Sequence, residues 1–533
     1  MRRSPLLIAA IALLTVAPLG AQSHLEARNR WARLCEIRRD KFDRILPEAM
    51  RENGIDMWIV AMREGHHDPL WELLGRGYVG TVGYLIFTDR GGDRIERVAV
   101  DITDHQRAAC GAYDVDTSSV DLAAFVRQRN PKRIGVNTST EMGMADGLSH
   151  TLHQHLVTTL GPALAAKMVS AEKLVSDFSS RRVASELVAF GEATEFGRQL
   201  AERALSNEVI TPGVTTLADV AWWVQEQQRV RGLGSSFEVP SIYITGPNGI
   251  EATSNDRIIQ RGDILMMDFG VGYLNMWTDQ KRIAYVLKPG ETALPASMQR
   301  AFDQAVRVRE VIRRTARAGK TAQAMMDEVN AAIVAAGFTA MRGFNQVRAD
   351  SSTEFIIGCH SVGDWGHGIG PSMAFFNPGR LTFEIRPTNL FSIELFAYTP
   401  IPEWGGKKLR IPLEDDAVIT ARGVEWLTDQ SSDPVDPLTA QVSQPCLVAL
   451  RASTTRPIPI ASTSPWNPTA TAPMEPIGSA MRANDASCPM MPRSETISAG
   501  RAQLFRRIRP SDPTAPSQTA IAVMATDHAG RAA

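Results

Sequence analysis

Five side chains of this sequence have the chemistry to hold metal ions, and along the chain they come in the order Asp, Asp, His, Glu, Glu. In the stretch ILMMDFGVGYLNMWTDQKR, Asp268 ends one apolar run and Asp279 opens the next, with Gly270 and Gly272 loosening the connection. A hairpin turning near Tyr273 and Leu274 sets the two aspartates opposite one another, aimed at one ion. The stretch CHSVGDWGHGIG carries His360 and His367, spaced as HxxGxxxH around Gly363. The residues alone leave open which of the two is a ligand. Glu394 stands among Phe391, Ile393, Leu395 and Phe396, where a carboxylate is costly unless it is paired or bound to metal. Glu414, in IPLEDDAVIT, is followed by Asp415 and Asp416 and on its own reads as the acidic end of a strand. Asp268, Asp279 and Glu414 taken singly would pass for surface residues, but the set of five supplies donors for two divalent ions. The cysteines, Cys35, Cys110, Cys359, Cys446 and Cys488, form no CxxC knuckle, so any metal falls to His, Asp and Glu.

These residues need strands to hold them, and the pattern supplies strands and helices in blocks. From Asp40 to about Ser180, the helical KFDRILPEAMREN and VDLAAFVRQRN alternate with the extended IDMWIVAM, VGYLIFTDR, IERVAVD and RIGVNTST. No glycine-rich phosphate loop is present, which argues against a dinucleotide. A long helix follows, from about Arg181 to Ser206, then a break at Pro212 and Gly213, then LADVAWWVQEQQRV with Thr216 as its cap. Trp222 and Trp223 on that helix are read as core. FEVPSIYIT, DILMMDFGV and RIAYVLK are strands, two helices separated at Gly319 come next, and the strands LFSIELFAYT and KLRIPLEDDAVIT close the region. Such blocks indicate an α+β fold rather than a doubly wound parallel sheet.

With this order of ligands on paired strands, the sequence resembles the M24 family metallopeptidases. This pita-bread group includes methionine aminopeptidase, aminopeptidase P and prolidase, as well as the metal-free creatinases. The resemblance runs from about His24 to Gln430. It implies a smaller α/β creatinase-like N-terminal domain over 22–180 and a pita-bread catalytic domain over 181–430. The family's ligand histidine begins the HxxGxxxH pattern, which implies His360 as ligand and His367 as the substrate-facing histidine. By the same carry-over Asp268 chelates one ion, Asp279 and Glu414 bridge, and His360 and Glu394 hold the second. Two bridged ions lower the pKa of a shared water. Glu394 is placed to accept its proton and pass it to the leaving amine, and His367 to hydrogen-bond the substrate. The expectation is a dinuclear peptidase using Mn, Co or Zn on short peptides, with Xaa-Pro bonds as candidates and a homodimer as the assembly. Three departures weaken the transfer of Xaa-Pro specificity. Thr253 or Ser254 stands where the family usually places another histidine, Leu395 and Phe396 follow Glu394 where Pro-Gly is common, and Arg410 lies four residues before Glu414 rather than two. An alternative from another class is a non-catalytic peptide-binding or scaffold protein that keeps the fold.

The ends of the chain carry separate signals. Residues 1–21 read as a secretory signal peptide, with Arg2 and Arg3 before an apolar run from Pro5 to Leu19 and small residues at Gly20 and Ala21. The run is short for a membrane span. The expected location is therefore periplasmic or secreted, with no membrane attachment after cleavage, and Cys35 and Cys110 could pair in an oxidising compartment. A formal net charge of -1 gives no reason to expect nucleic acid as partner. Residues 431–533 hold 14 of the 31 prolines and no lysine, a composition read as disorder.

Overall fold

The computed structural model describes residues 20–104, 108, 110–252, 255–344, 346–364, 369–428 and 447–450. Most of the expected signal peptide, the segment with His367, Thr253 and Ser254, and all of the tail except Leu447–Leu450 lie outside the described residues. Among the described residues no helix is long and apolar enough to cross a membrane.

The N-terminal part is a six-stranded sheet centred on Met57–Met62, which pairs antiparallel with Tyr78–Asp89 and parallel with Ile134–Val136. Every residue of the central strand is buried because helices cover both faces. Trp58, Val60 and Met62 enter one apolar cluster, and Met57, Ile59 and Ala61 enter another. An unbroken apolar run is what a strand covered on both sides requires. Cys35 and Cys110 form a disulfide whose Cα atoms are 5.3 Å apart, within the range such a bridge spans.

The larger part is built on an 11-stranded, mostly antiparallel sheet. Its central rows run Asn389–Pro400, Lys408–Ile419, Gln280–Val286, Ile264–Phe269 and Ser241–Gly246. Side-chain alternation divides these strands between core and cleft. Leu265, Met267, Ala284 and Val286 pack under the helices Ala184–Ala204 and Leu217–Val230. Ile393, Leu395, Ile411 and Leu413 pack under Ala296–Thr315 and Ala322–Ala335. The alternate positions, Asp268, Lys281, Glu394 and Glu414, are left facing a common cavity.

The Leu217–Val230 helix begins as its sequence requires. Thr216 accepts a hydrogen bond from the Asp219 amide, and Asp219 accepts one from the Thr216 amide, a reciprocal cap that satisfies two free donors. The two tryptophans of this helix part company. Trp223 packs against the core with Arg203 over its ring at 5.0 Å. Trp222, expected in the core, is 62% exposed. Adjacent positions on a helix point about 100° apart, and the apolar face is wide enough here for only one of them.

Candidate metal centre

The sheet register places four side chains in one row across four strands. Asp268 pairs with Lys281, Lys281 with Glu414, and Glu414 with Glu394. Directly paired residues of antiparallel strands share a face, so the row points into the cleft as a unit. The hairpin turns at Leu274 and Asn275, both with positive φ, as a two-residue turn of this hand demands. A Cβ at Gly270 would collide with the Thr278 carbonyl, which explains the glycine beside the turn. Asp279 is therefore not opposite Asp268. It stands two residues before Lys281, on the same face and one step along the strand. The expected pairing of the two aspartates is replaced by an Asp268–Lys281 pair, because the turn falls at Leu274 and Asn275, one residue later than Tyr273 and Leu274, and a turn displaced by one residue moves every cross-strand partner by two.

The ligands expected from sequence lie together. Nε2 of His360, from the short strand His360–Ser361, is 3.6 Å from Glu414 Oε1, 3.9 Å from Asp279 Oδ2 and 4.0 Å from Glu394 Oε2. Asp279, His360 and Glu414 each offer a ligand atom within 4.8 Å of the others. His360, Glu394, Asp279 and Glu414 are all buried. His367 lies outside the described residues.

Lys281 is the residue that sequence reasoning passed over. Its ammonium lies 2.8 Å from Glu394 Oε1 and 3.1 Å from Asp268 Oδ2, and it also pairs with Glu414 Oε2. The signal was available, since strand alternation alone puts residue 281 on the face of residue 279. Asp416 was also missed. It lies two residues beyond Glu414 on the same strand, and its carboxylate accepts the Asp279 backbone N–H at 3.2 Å. Ser392 donates its hydroxyl to Glu414 Oε1. These two contacts fix the strand end that carries Asp279 and one oxygen of Glu414.

Crowding of like charge and burial set the electrostatics. Burial, then Glu414 and Asp268, push Asp279 well above the usual carboxylate range. Asp268 is pushed up to about 6, chiefly by burial, although Lys281 opposes the rise. Burial raises Glu414, but Lys281 and His360 outweigh it and hold the group down at about 2. Burial would lower Lys281, yet Glu414, Glu394, Asp268 and Asp279 together hold it well above its ordinary value. The cluster as it stands has more negative charge than its own cation neutralises.

The site forms the floor of a cavity of about 350 Å³ walled by Phe237, Tyr243, Phe344, Phe376 and Phe396, with Arg410 at one side. Arg410 lies over the Phe396 ring at 4.4 Å. A Cβ at Gly358 would press on the Glu394 carboxylate, so the glycine leaves room for that side chain. An apolar wall above a polar floor is the form of a small-molecule or peptide site.

Residues 190–421 match the model of metallopeptidase family M24. This segment is an M24 metallopeptidase domain. All five expected ligands fall inside it. One solved structure similar to the chain is an X-Pro aminopeptidase from Thermotoga maritima, with 18% identity over 71% of this chain and 97% of that one, at a TM-score of 0.51. A second, an Xaa-Pro dipeptidase from Bacillus anthracis, has 19% identity over 74% of this chain and 98% of that one, at a TM-score of 0.48. No curated protein matches the chain. The likeness to the Thermotoga maritima structure is one of fold, an N-terminal domain followed by the pita-bread domain, as expected from sequence.

The family implies a divalent metal, and the residues of the M24 domain fit one. Asp268 Oδ1 and Asp279 Oδ1 are buried without a hydrogen-bond partner, a cost that a cation would remove. The donors are all oxygen or imidazole nitrogen, suited to a borderline or hard divalent ion. Asp279, His360 and Glu414 are the residues that would hold it.

Proposed function

We propose that this protein is a metal-dependent peptidase that hydrolyses short peptides, with Xaa-Pro bonds as the first candidates. The observation that carries the reading is the convergence of Asp268, Asp279, His360, Glu394 and Glu414 on the floor of one aromatic-walled cavity. A divalent ion bound there would polarise the scissile carbonyl and acidify a water. Glu394 turns one oxygen, Oε1, to Lys281 and leaves Oε2 facing His360. That oxygen is the one placed to take a proton from water and hand it to the leaving amine. The phenylalanine walls suit a compact apolar side chain such as proline. The name of the similar Thermotoga maritima structure, an X-Pro aminopeptidase, supports this substrate class.

Export to the periplasm or beyond belongs to the same proposal. It is supported by the N-terminal arginines and apolar run and by the Cys35–Cys110 disulfide, since such bridges persist in oxidising compartments. A homodimer is part of it on family grounds, and light scattering would measure it.

The test is hydrolysis of Xaa-Pro dipeptides and tripeptides by the purified protein. Cleavage is expected to stop with chelator, return with Mn2+, and be lost in Glu394→Gln. A metal-replete protein inert across a broad peptide library would remove the peptidase reading. One observation favours the non-catalytic alternative, the ammonium of Lys281 seated among the ligands. Peptide binding that is unchanged in Glu394→Gln and yields no product would support that alternative.

A further inference from the structure

The position of Lys281 is fixed by the backbone and not by the choice of rotamer. It pairs directly with Asp268 on one side and Glu414 on the other, so its Cβ stands between theirs on the cleft face. Any side chain at this position enters the row of ligands. The lysine side chain is 14% exposed, and its ammonium bonds Asp268, Glu394 and Glu414.

The carboxylates divide their oxygens between two places. Glu414 gives Oε2 to Lys281 and turns Oε1 toward His360. Glu394 gives Oε1 to Lys281 and turns Oε2 toward His360. The first place is filled by the ammonium. The second, between Asp279, His360 and Glu414, has its ligand atoms gathered within 4.8 Å and retains the unpartnered Asp279 Oδ1.

Charge leads to the same division. Four carboxylates against one ammonium leave a formal charge of minus three, which one divalent ion reduces to minus one. A second divalent ion would set a dication against an ammonium that shares its carboxylates, an arrangement strongly repulsive at low dielectric.

We propose that Lys281 takes the place of one of the two cations expected from the ligand set, so that the site binds a single divalent ion at Asp279, His360 and Glu414. The ammonium neutralises Asp268 and shares Glu394 and Glu414 with the ion. The proposal rests on the reading of the site as a metal centre but not on peptidase activity.

The experiment is a count of bound manganese, by calorimetric titration with MnCl2 and elemental analysis after dialysis, on the full chain and on Lys281→Ala. Thermal melting checks that both are folded. The native protein is expected to hold about one Mn2+ per chain and the alanine variant about two, because the vacated place becomes available to an ion. Two ions in the native protein, or one in both, overturns the proposal. No ion in either overturns it together with the metal reading. One ion in the native protein without peptide cleavage leaves it standing and removes only the peptidase reading. If the variant does not fold, anomalous diffraction from native crystals soaked in MnCl2 decides. A single peak beside His360 is expected, and a second beside Asp268 overturns the proposal.

Discussion

Lys41 and Lys281 are both buried lysines that meet glutamate, and their surroundings differ in charge balance. Lys41 lies 3.2 Å from Glu186 and donates to the carbonyls of Ser179 and Arg181 at 3.2 and 2.7 Å. Arg182 pairs with the same Glu186 at 3.0 Å and with Asp364. Two cations therefore face two carboxylates. Burial is the largest influence on Lys41 and lowers its pKa despite Glu186. At Lys281 the four surrounding carboxylates overcome burial and raise it. The balanced cluster ties the first helical segment to the Ala184–Ala204 helix and to the loop after His360, and has no further cation to accept. The unbalanced cluster keeps a surplus of negative charge. Buried charge marks a functional site here only where the local sum departs from neutrality.

The contrast can be broken most severely at Asp279. Asp279→Asn is expected to lower kcat/KM for an Xaa-Pro peptide by roughly a thousandfold or more, since it removes a ligand. Its urea midpoint should be unchanged or higher without metal, because one repelling charge is gone. A clear loss of apo stability would show that the surplus charge is structural after all.

The balanced cluster should respond in the opposite sense. Glu186→Ala leaves Lys41 and Arg182 buried with a single carboxylate between them, and is expected to cost about 3–5 kcal/mol. Urea unfolding measures this, while manganese content per folded chain should stay unchanged. A variant with full stability would mean that the cluster is not a staple.

A third buried acid sharpens the comparison with a smaller effect. Asp68 has neutral partners, accepting from the Leu70 amide at 2.9 Å and the Asn137 side chain at 2.8 Å. Burial pushes it up to about 6 from an ordinary 3.8. The folded state therefore holds a proton that the unfolded chain has lost. Stability from this group is fully present below 3.8 and falls as pH rises through about 6, by an amount on the order of 3 kcal/mol. Urea midpoints measured across that window should fall in the native protein and run flatter in Asp68→Asn.

Much of the site was legible in the sequence. Glu394 could be found because a carboxylate amid phenylalanine, isoleucine and leucine is costly without a partner, and it is buried as that cost implies. The strands and helices of the M24 domain follow their apolar periodicity closely, and Thr216 caps its helix as written. Which of two adjacent tryptophans is covered depended on the neighbouring helix, and sequence placed Trp222 wrongly.

By itself the sequence determined which side chains could ligate a metal and that they stand on strands, because residue type and alternation are local properties. Only the tertiary structure decided what lies beside them. In the run TDQKR, Lys281 is one polar residue among several at the start of a strand. It becomes the middle of a row of ligands through pairing with strands that begin 17 residues earlier and 127 residues later. Register of that kind is set by long-range packing of the opposite faces, and no local pattern encodes which charge will arrive opposite which.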